Sequence, residues 1–323
     1  MQQDETMIDR MIASGRLAEA IALTRAAAMA GAAADQFRLA LWHLIGDPVP
    51  RDLPVARHWL GRAAQQGHDD ALAMAVALQA NGSGGPVDWA GARQVVNGSN
   101  APWAQTQRKL LAAMALDIAG APMVHPVGRP LTNDGRILRF DTFCSPQECE
   151  HLAMASAARM EPAHIIDEAS GQAVPHPVRT SDGAVISPTI ENLVIRAINL
   201  RIAAATGTHV AQGEALTILR YRPGQQYRLH HDAFARTANQ RSLTFLLYLN
   251  DAFAGGETSF PAYDLRVRPR GGDAILFHNL LPDGTADPRM RHAGEPVREG
   301  AKWLATRWIR TRPFDMWTGP EAA

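Results

Sequence analysis

Two side chains with metal-binding chemistry stand two residues apart in the stretch His230-His231-Asp232. On an extended strand, residues i and i+2 point to the same side, so His230 and Asp232 can direct an imidazole and a carboxylate at one point while His231 faces away. A third ligand must come from elsewhere. His292, 60 residues after Asp232 at the start of a predicted strand, is a candidate among the chain's 12 histidines. Two histidines and one carboxylate on one face of an octahedral ion leave three positions open, as in non-haem Fe(II) oxygenases.

Four further motifs follow the stretch that carries His230 and Asp232. In chain order, the five motifs occupy residues 221–232, 241–250, 255–261, 272–277 and 292–303. A lone His-x-Asp arises by chance in many chains, so the interpretation depends on the agreement of all five in order and spacing. Together they closely resemble the 2-oxoglutarate- and Fe(II)-dependent oxygenases of the prolyl 4-hydroxylase family. The resemblance covers roughly residues 136–312.

The resemblance implies a ligand set and a cosubstrate. His230, Asp232 and His292 would hold Fe(II), 2-oxoglutarate and O2 would take the open positions, and ascorbate is an expected reductant. Lys302, ten residues after His292, stands where the family has the basic residue that pairs with the far carboxylate of 2-oxoglutarate. An ammonium group there compensates a buried anion that would otherwise be costly.

Other positions match residues that line the family's cosubstrate pocket or contact its substrate. The expected pocket residues are Tyr221, Tyr227, Tyr248 and Thr258. Arg179 lies in a segment that matches an Arg-x-Ser substrate contact of some members, and Arg241 matches a second basic position on the substrate side. Arg228 departs from the pattern, because the position two before the first histidine ligand is acidic in some peptide-hydroxylating relatives. This departure leaves the substrate preference open.

These residues predict an enzyme, a 2-oxoglutarate-dependent dioxygenase. The implied reaction hydroxylates a prolyl or other residue of a protein or peptide, coupled to oxidative decarboxylation of 2-oxoglutarate to succinate and CO2. One alternative is hydroxylation of a free amino acid or a small peptide natural product. An alternative of another class is a binding protein whose helical repeats are the function and whose barrel is inactive or only senses iron or oxygen. The intact ligand set and Lys302 speak against this last alternative.

Strands must position these residues, and the chain from Ala215 onward alternates apolar and polar residues between Gly and Pro, as β structure does. Eight strands are predicted, at 215–221, 226–231, 242–249, 257–260, 265–268, 273–278, 290–295 and 302–310. That number suits a double-sheet jelly roll. Before them, Ser145 and Glu148 form a predicted capping box that opens a helix. Ser187 and Pro188 are expected to open another, and residues 161–185 are typical of a polar loop.

The first 121 residues are rich in alanine and repeat at a spacing of 36. Positions related by this spacing include Leu17, Leu53 and Trp89, then Ala20, Ala56 and Ala92, and also Asp52 and Asp88. A fixed period in this range predicts a helical-hairpin solenoid. The segments resemble the Sel-one-like subclass of tetratricopeptide repeats, closed by a helix near residues 103–118. Repeats of this class usually bind a protein partner, which implies that the substrate docks on them; an alanine-rich bundle without a binding role is the alternative.

The predicted fold class is α+β multidomain, with an N-terminal α-helical repeat (solenoid) region followed by a double-stranded β-helix (jelly-roll) oxygenase domain. The expected boundaries are residues 1–121 for the repeats, 122–135 for a linker rich in proline, 136–315 for the oxygenase domain and 316–323 for a tail.

Composition narrows the classes of partner and compartment. The 323 residues carry 32 basic and 32 acidic side chains, and this balance argues against a nucleic-acid binder or a binder of anionic membranes. No apolar stretch is long enough for a membrane span, and the acidic start lacks the features of a signal peptide. Cys144 and Cys149 do not make a disulfide framework. We therefore expect a cytoplasmic protein, and the oligomeric state is left open. Only Lys109 and Lys302 are lysines, so the other 30 basic residues are arginine.

Overall fold

The structure, a computed structural model, describes residues 7–166, 173–234, 237–268 and 270–318. These residues group into two compact units. The first takes residues 7–113, 118–120 and 188–196, and the second takes the remaining described residues. The predicted domain boundaries stay predictions, and the predicted tail lies outside the described residues beyond residue 318.

Seven helices precede the strands in the described part of the chain. They are α1 (Met7–Ala13), α2 (Leu17–Met29), α3 (Ala33–Ile45), α4 (Leu53–Gln65), α5 (Asp69–Asn81), α6 (Trp89–Gly98) and α7 (Pro102–Ala113). Each helix packs against the next in sequence, which is the arrangement of stacked helical hairpins.

The 36-residue spacing of the sequence recurs in the local structure of these helices. Asp52 caps α4 by accepting a hydrogen bond from Val55 N at 3.0 Å, and Asp88 caps α6 by accepting one from Gly91 N at 2.8 Å. Three alanines at this spacing have no exposed surface: Ala20, Ala56 and Ala92. Small residues therefore stand where the helices pack closely. The Sel-one-like identity of the repeats stays a prediction.

Two more helices and sixteen strands are described. The helices are α8 (Pro146–Ala157) and α9 (Leu193–Thr206). The strands are β1 (Arg129–Pro130), β2 (Ile137–Phe140), β3 (Glu161–Pro162), β4 (His164–Ile166), β5 (Ala173–Pro175), β6 (Asp182–Val185), β7 (Thr217–Tyr221), β8 (Tyr227–His230), β9 (Arg241–Tyr248), β10 (Phe253–Gly255), β11 (Thr258–Phe260), β12 (Leu265–Val267), β13 (Ala274–His278), β14 (His292–Gly294), β15 (Val297–Gly300) and β16 (Lys302–Arg310).

Two antiparallel sheets make up the centre of the second unit. The larger has the order β1-β2-β13-β9-β16-β7-β6-β3, and the smaller has the order β12-β11-β14-β8. From β7 to β16 the chain crosses between the sheets repeatedly, which is the winding of a jelly roll. Buried side chains of both sheets, among them Tyr248, Phe277 and Phe260, form one hydrophobic cluster. The predicted jelly-roll fold and all eight of its strands are confirmed.

Other predictions about local structure need correction. The capping box of Ser145 and Glu148 is present at the start of α8. However, α9 does not begin at Ser187: residues 188–190 form a turn, and Asn192 Oδ1 instead accepts from the backbone N–H groups of Val194 and Ile195. Helix α7 ends at Ala113 rather than near residue 118, because Ala115 and Asp117 pair their backbones with residues 121–123.

The segment 161–185 is not simply a loop. It contributes the four short strands β3 to β6, while residues 167–172 of the predicted loop lie outside the described residues. Strands β10 and β15 pair with each other and were not predicted. Across the described helices, none has the length and apolar character needed to cross a bilayer.

Candidate metal and cosubstrate site

Three sequence-predicted ligands meet at one edge of the smaller sheet. His230 ends β8 and His292 begins β14, and the two strands pair with these histidines opposite each other. The ligand atoms of His230, Asp232 and His292 all lie within 4.8 Å of one another. Asp232 Oδ1 is 3.5 Å from His230 Nε2, and Oδ2 is 3.7 Å from His292 Nε2. A set of two imidazoles and one carboxylate at this spacing fits an Fe(II) ion.

Backbone carbonyls orient both imidazoles. His230 Nδ1 lies 2.8 Å from the carbonyl oxygen of Arg228, and His292 Nδ1 lies 3.0 Å from that of Met290. With Nδ1–H donating to a carbonyl, each ring presents the lone pair of Nε2 to the site. The Tyr227 ring stacks on His230 with centroids 3.5 Å apart and planes 9° apart, so the first ligand is held from its face as well.

The carboxylate has its own support. Thr244 Oγ1 donates to Asp232 Oδ2 at 2.6 Å, and Asn279 Nδ2 donates to Thr244 Oγ1 at 2.9 Å. Burial opposes the charge on Asp232, but the neighbouring His292 and His230 outweigh it and hold the pKa of the carboxyl well below its ordinary value. Burial also lowers the pKa of His292 to about 4. At neutral pH both groups are thus unprotonated, which is the form that binds a metal ion.

A pocket extends from these ligands along the inward face of β16. Its lining includes the three ligands, and β16 contributes alternate residues, namely Lys302, Leu304, Thr306 and Trp308. Lys302 is 2% exposed, and its Nζ donates to the carbonyl oxygen of Gly256 at 2.7 Å. Burial lowers the pKa of Lys302 to about 8. The Glu257 carboxylate opposes this shift in part, but Nζ forms no ion pair with a described residue, so the buried cation has no counter-ion in direct contact.

Gly256 is required by the geometry around Lys302. Its φ of +67° is in the left-handed region, and a Cβ there would lie 3.2 Å from Lys302 Cδ. A larger residue would therefore crowd the ammonium and strain the backbone whose carbonyl accepts its hydrogen bond.

The predicted pocket residues lie around Lys302. Tyr221, Tyr227 and Thr258 line the pocket. Tyr248 is fully buried, and its hydroxyl is 2.5 Å from Thr258 Oγ1. The Lys302 ammonium lies 5.5 Å from the Tyr221 ring centroid and 5.3 Å from that of Tyr248. Burial raises the pKa of both tyrosines, so they stay neutral hydrogen-bonding groups.

The two predicted substrate-side arginines differ. Arg179 Cζ lies 5.9 Å from the Tyr227 ring centroid, beside the metal site. Arg241 instead forms a two-pronged ion pair with Glu214, at 2.6 and 2.7 Å, and its guanidinium lies over the rings of Trp308 and Phe234. Neither arginine lines the pocket itself: Arg179 lies over the pocket residue Tyr227, and Arg241, held by Glu214, lies over the pocket residue Trp308.

Four residues of the site escaped the sequence reasoning. Thr306 and Trp308 follow Lys302 at strand period two, a signal that could have found them. Thr306 Oγ1 and Trp308 Nε1 are buried without a hydrogen-bond partner in the part of the chain described, and both residues line the pocket. Thr244, on β9, and Asn279, which follows β13, support Asp232 and carry no comparable sequence signal.

A jelly roll that gathers two histidines and one carboxylate, next to a pocket with a buried cation, defines the class of 2-oxoglutarate-using non-haem iron oxygenases. The family model described as 2OG-Fe(II) oxygenase superfamily matches residues 216–310. The chain is 39% identical over 196 residues to prolyl 4-hydroxylase 1 of Arabidopsis thaliana, covering 55% of this chain and 69% of that relative. The chain belongs to the prolyl 4-hydroxylase family and is a 2-oxoglutarate- and Fe(II)-dependent dioxygenase.

Two solved structures are also similar. A collagen prolyl hydroxylase of Paramecium bursaria chlorella virus 1, solved as a complex with 2-oxoglutarate, is 26% identical with a TM-score of 0.45, covering 55% of this chain and 97% of that one. A Sel1 repeat protein of Oxalobacter formigenes is 32% identical with a TM-score of 0.27, covering 29% of this chain and 28% of that one.

Proposed function

We propose that this protein hydroxylates a prolyl residue of a protein or peptide. The observation that carries the proposal is one pocket with an iron-binding set at one end and, at the other, a buried lysine that forms no ion pair with a described residue. Fe(II), bound with 2-oxoglutarate and O2, supplies the oxidation that inserts one oxygen atom into the substrate and releases succinate and CO2. His230, Asp232 and His292 would hold the metal.

The rest of the pocket suits a small dicarboxylate. The Lys302 ammonium has hydrogens left to donate after its bond to Gly256, and it would pair with the far carboxylate of 2-oxoglutarate. Thr258 and Tyr221 offer hydroxyl groups nearby. Leu219, Leu246 and Leu304 supply apolar walls that exclude water along the carbon chain of the cosubstrate.

Proline as the target is supported by the relatives, which are named prolyl 4-hydroxylases. Ascorbate belongs to the proposal as the reductant that keeps iron as Fe(II).

The cytoplasm is the proposed compartment, because the two buried cysteines are free thiols and the site needs reduced iron. The stacked helices α2 to α6 are proposed to bind the protein that carries the target residue.

The proposal is tested by incubating the protein with Fe(II), 2-oxoglutarate, ascorbate and a library of proline-containing peptides. We expect succinate to form in an iron- and peptide-dependent way and a prolyl residue to gain the mass of one oxygen atom. Turnover of free amino acids or a small peptide product, but of no library member, would favour the first alternative. A protein that binds no iron and never decarboxylates 2-oxoglutarate would be the inactive or sensing barrel.

A further inference from the structure

The segment 178–180 runs alongside β8, next to the first metal ligand. Arg228 N donates to Val178 O at 2.9 Å, Thr180 N donates to Gln226 O at 3.0 Å, and Arg179 bridges to Tyr227. Two arginines, Arg179 and Arg228, therefore stand on adjacent backbones at the edge of the site.

The Arg179 side chain lies on the metal side of this segment. It lies over the ring of Tyr227, which itself stacks on His230. His176 fixes the preceding turn, because its Nδ1 accepts from Val178 N at 3.2 Å and from Arg179 N at 3.1 Å. The rings of Tyr227 and His230 therefore lie between the Arg179 guanidinium and the candidate iron site.

Neither arginine has a counter-ion in the described chain. Arg179 forms no ion pair, and its Nε is buried without a hydrogen-bond partner. Within the described ranges, the side chain of Arg228 has one hydrogen bond, a long one of 3.5 Å from Nη1 to the carbonyl oxygen of Pro177.

Two described carboxylates of this unit are each already shared by two other arginines. Asp182 accepts from both Arg220 and Arg222. Glu214 likewise pairs with both Arg241 and Arg310. Among the described residues, the edge beside the metal site therefore has two arginines without an ion pair, and the buried N–H of Arg179 Nε lacks an acceptor, which is costly unless a ligand supplies one.

We propose that Arg179, assisted by Arg228, binds a carboxylate of the substrate close to the hydroxylated residue, so that the preferred substrate is an acidic prolyl peptide. This inference rests on the proposed function. A guanidinium offers two parallel N–H groups that match the two oxygens of a carboxylate. The carboxylate would also give the Nε of Arg179 its missing acceptor.

The test measures binding of labelled peptide pairs to the protein loaded with Fe(II) and 2-oxoglutarate in the absence of O2. Each pair has a central proline and differs only by Asp against Asn, at one of the positions from two before to two after the proline. We expect the Asp peptide to bind about tenfold more tightly or better for at least one position. The ratio should fall as salt is raised.

Variants then assign the preference to its residues. Arg179→Gln should bring the Asp/Asn ratio close to one, because it should weaken binding of the Asp peptide more than binding of the Asn peptide. Arg179→Lys should restore part of the ratio, and Arg228→Gln should lower it partly. The matched control is Arg266→Gln, an exposed arginine on β12, the opposite edge strand of the same sheet, which should leave the ratio unchanged.

An Asp/Asn ratio near one at every position overturns the inference, as does a ratio that Arg179→Gln leaves intact. If both peptides of a pair bind equally well and both are hydroxylated, the proposed function stands and the inference about Arg179 is wrong. If the Asp preference depends on Arg179 but no proline is hydroxylated, the carboxylate-binding role of Arg179 stands and the proposed function fails.

Discussion

The two ends of the active-site pocket are built on different principles. At the metal end each ligand has a protein partner: carbonyls orient His230 and His292, and Thr244 supports Asp232. At the other end Lys302 is also buried, and among the described residues its ammonium has one hydrogen bond, to the carbonyl of Gly256, and no ion pair. The metal end is therefore organised before anything binds, whereas the lysine end is completed only by an anion. The comparison suggests that metal affinity depends on geometry and cosubstrate affinity on one unpaired charge.

The largest effect is expected from removing a ligand at the metal end. His230→Ala should abolish stoichiometric Fe(II) binding and lower 2-oxoglutarate turnover by at least about a thousandfold, because the remaining pair cannot hold the ion. Metal analysis and succinate formation measure this. His125→Ala, which changes an exposed histidine, should be neutral. Normal turnover in His230→Ala would show that the metal end has been assigned wrongly.

Removing the charge of Lys302 should weaken cosubstrate binding without affecting metal binding. Lys302→Ala should raise the apparent KM for 2-oxoglutarate by about thirtyfold or more and leave Fe(II) binding unchanged, since it leaves the far carboxylate buried and unpaired.

Lys302→Arg tests whether the shape of the cation matters as well as its charge. It should also raise this KM, because the planar guanidinium does not fit the volume between Gly256, Tyr221 and Tyr248. Steady-state kinetics at varied 2-oxoglutarate measures the effect. Lys109→Arg, on the exposed face of α7, is the matched control, and equal behaviour of the two Lys→Arg variants would contradict the assignment of Lys302.

The support behind Asp232 should matter less than the ligand itself. Thr244→Val removes the hydroxyl that donates to Asp232 Oδ2, and we expect Fe(II) affinity to fall by about ten- to a hundredfold. Metal titration measures it. Thr217→Val is a matched control in the same sheet, because the Thr217 hydroxyl donates to the carbonyl of Ala215 and not to a metal ligand. If both variants bound iron like the wild type, the metal end would not depend on pre-organisation.

The smallest effect is expected from pH at the lysine end. Burial lowers the pKa of Lys302 from 10.5 to about 8. Below pH 8 folded and unfolded chains both carry the proton, so the cost of burying the charge is fully present. Between pH 8 and 10.5 the unfolded chain binds more protons, so the Lys302 contribution to the free energy of unfolding rises with pH when 2-oxoglutarate is absent. Affinity for 2-oxoglutarate should instead fall about tenfold per pH unit above 8.

Thermal denaturation with and without 2-oxoglutarate, from pH 7 to 9.5, measures both trends. Lys302→Met removes the titrating group. It should therefore remove both the rise of the free energy of unfolding with pH and the fall of 2-oxoglutarate affinity above pH 8. The same pH dependence in wild type and variant would mean that another group titrates.

Local rules predicted most of the fold and the ligand set. The alternation of apolar residues found all eight jelly-roll strands, and the capping box found the start of α8. The start of α9 was predicted wrongly, because Ser187 and Pro188 have the residue types of a helix cap. In the structure Asn192 caps the helix instead, since the turn before it places its side chain next to the free N–H groups of Val194 and Ile195. Strands β10 and β15 were missed since each is short and is stabilised by its distant partner.

The sequence by itself determined the chemistry: the His-x-Asp spacing indicated His230 and Asp232, and the resemblance carried by the five motifs indicated His292 and Lys302. The expected single strand through both first ligands was wrong, because β8 ends at His230 and Asp232 lies in the bend that follows. Only the tertiary structure decided which groups are compensated. It paired Arg241 with Glu214, gave Asp232 the support of Thr244 and Asn279, and left Lys302 and Arg179 without a counter-ion among the described residues. The physical reason is that charge compensation depends on distances between residues far apart in the chain, and periodicity and spacing along one strand do not contain those distances.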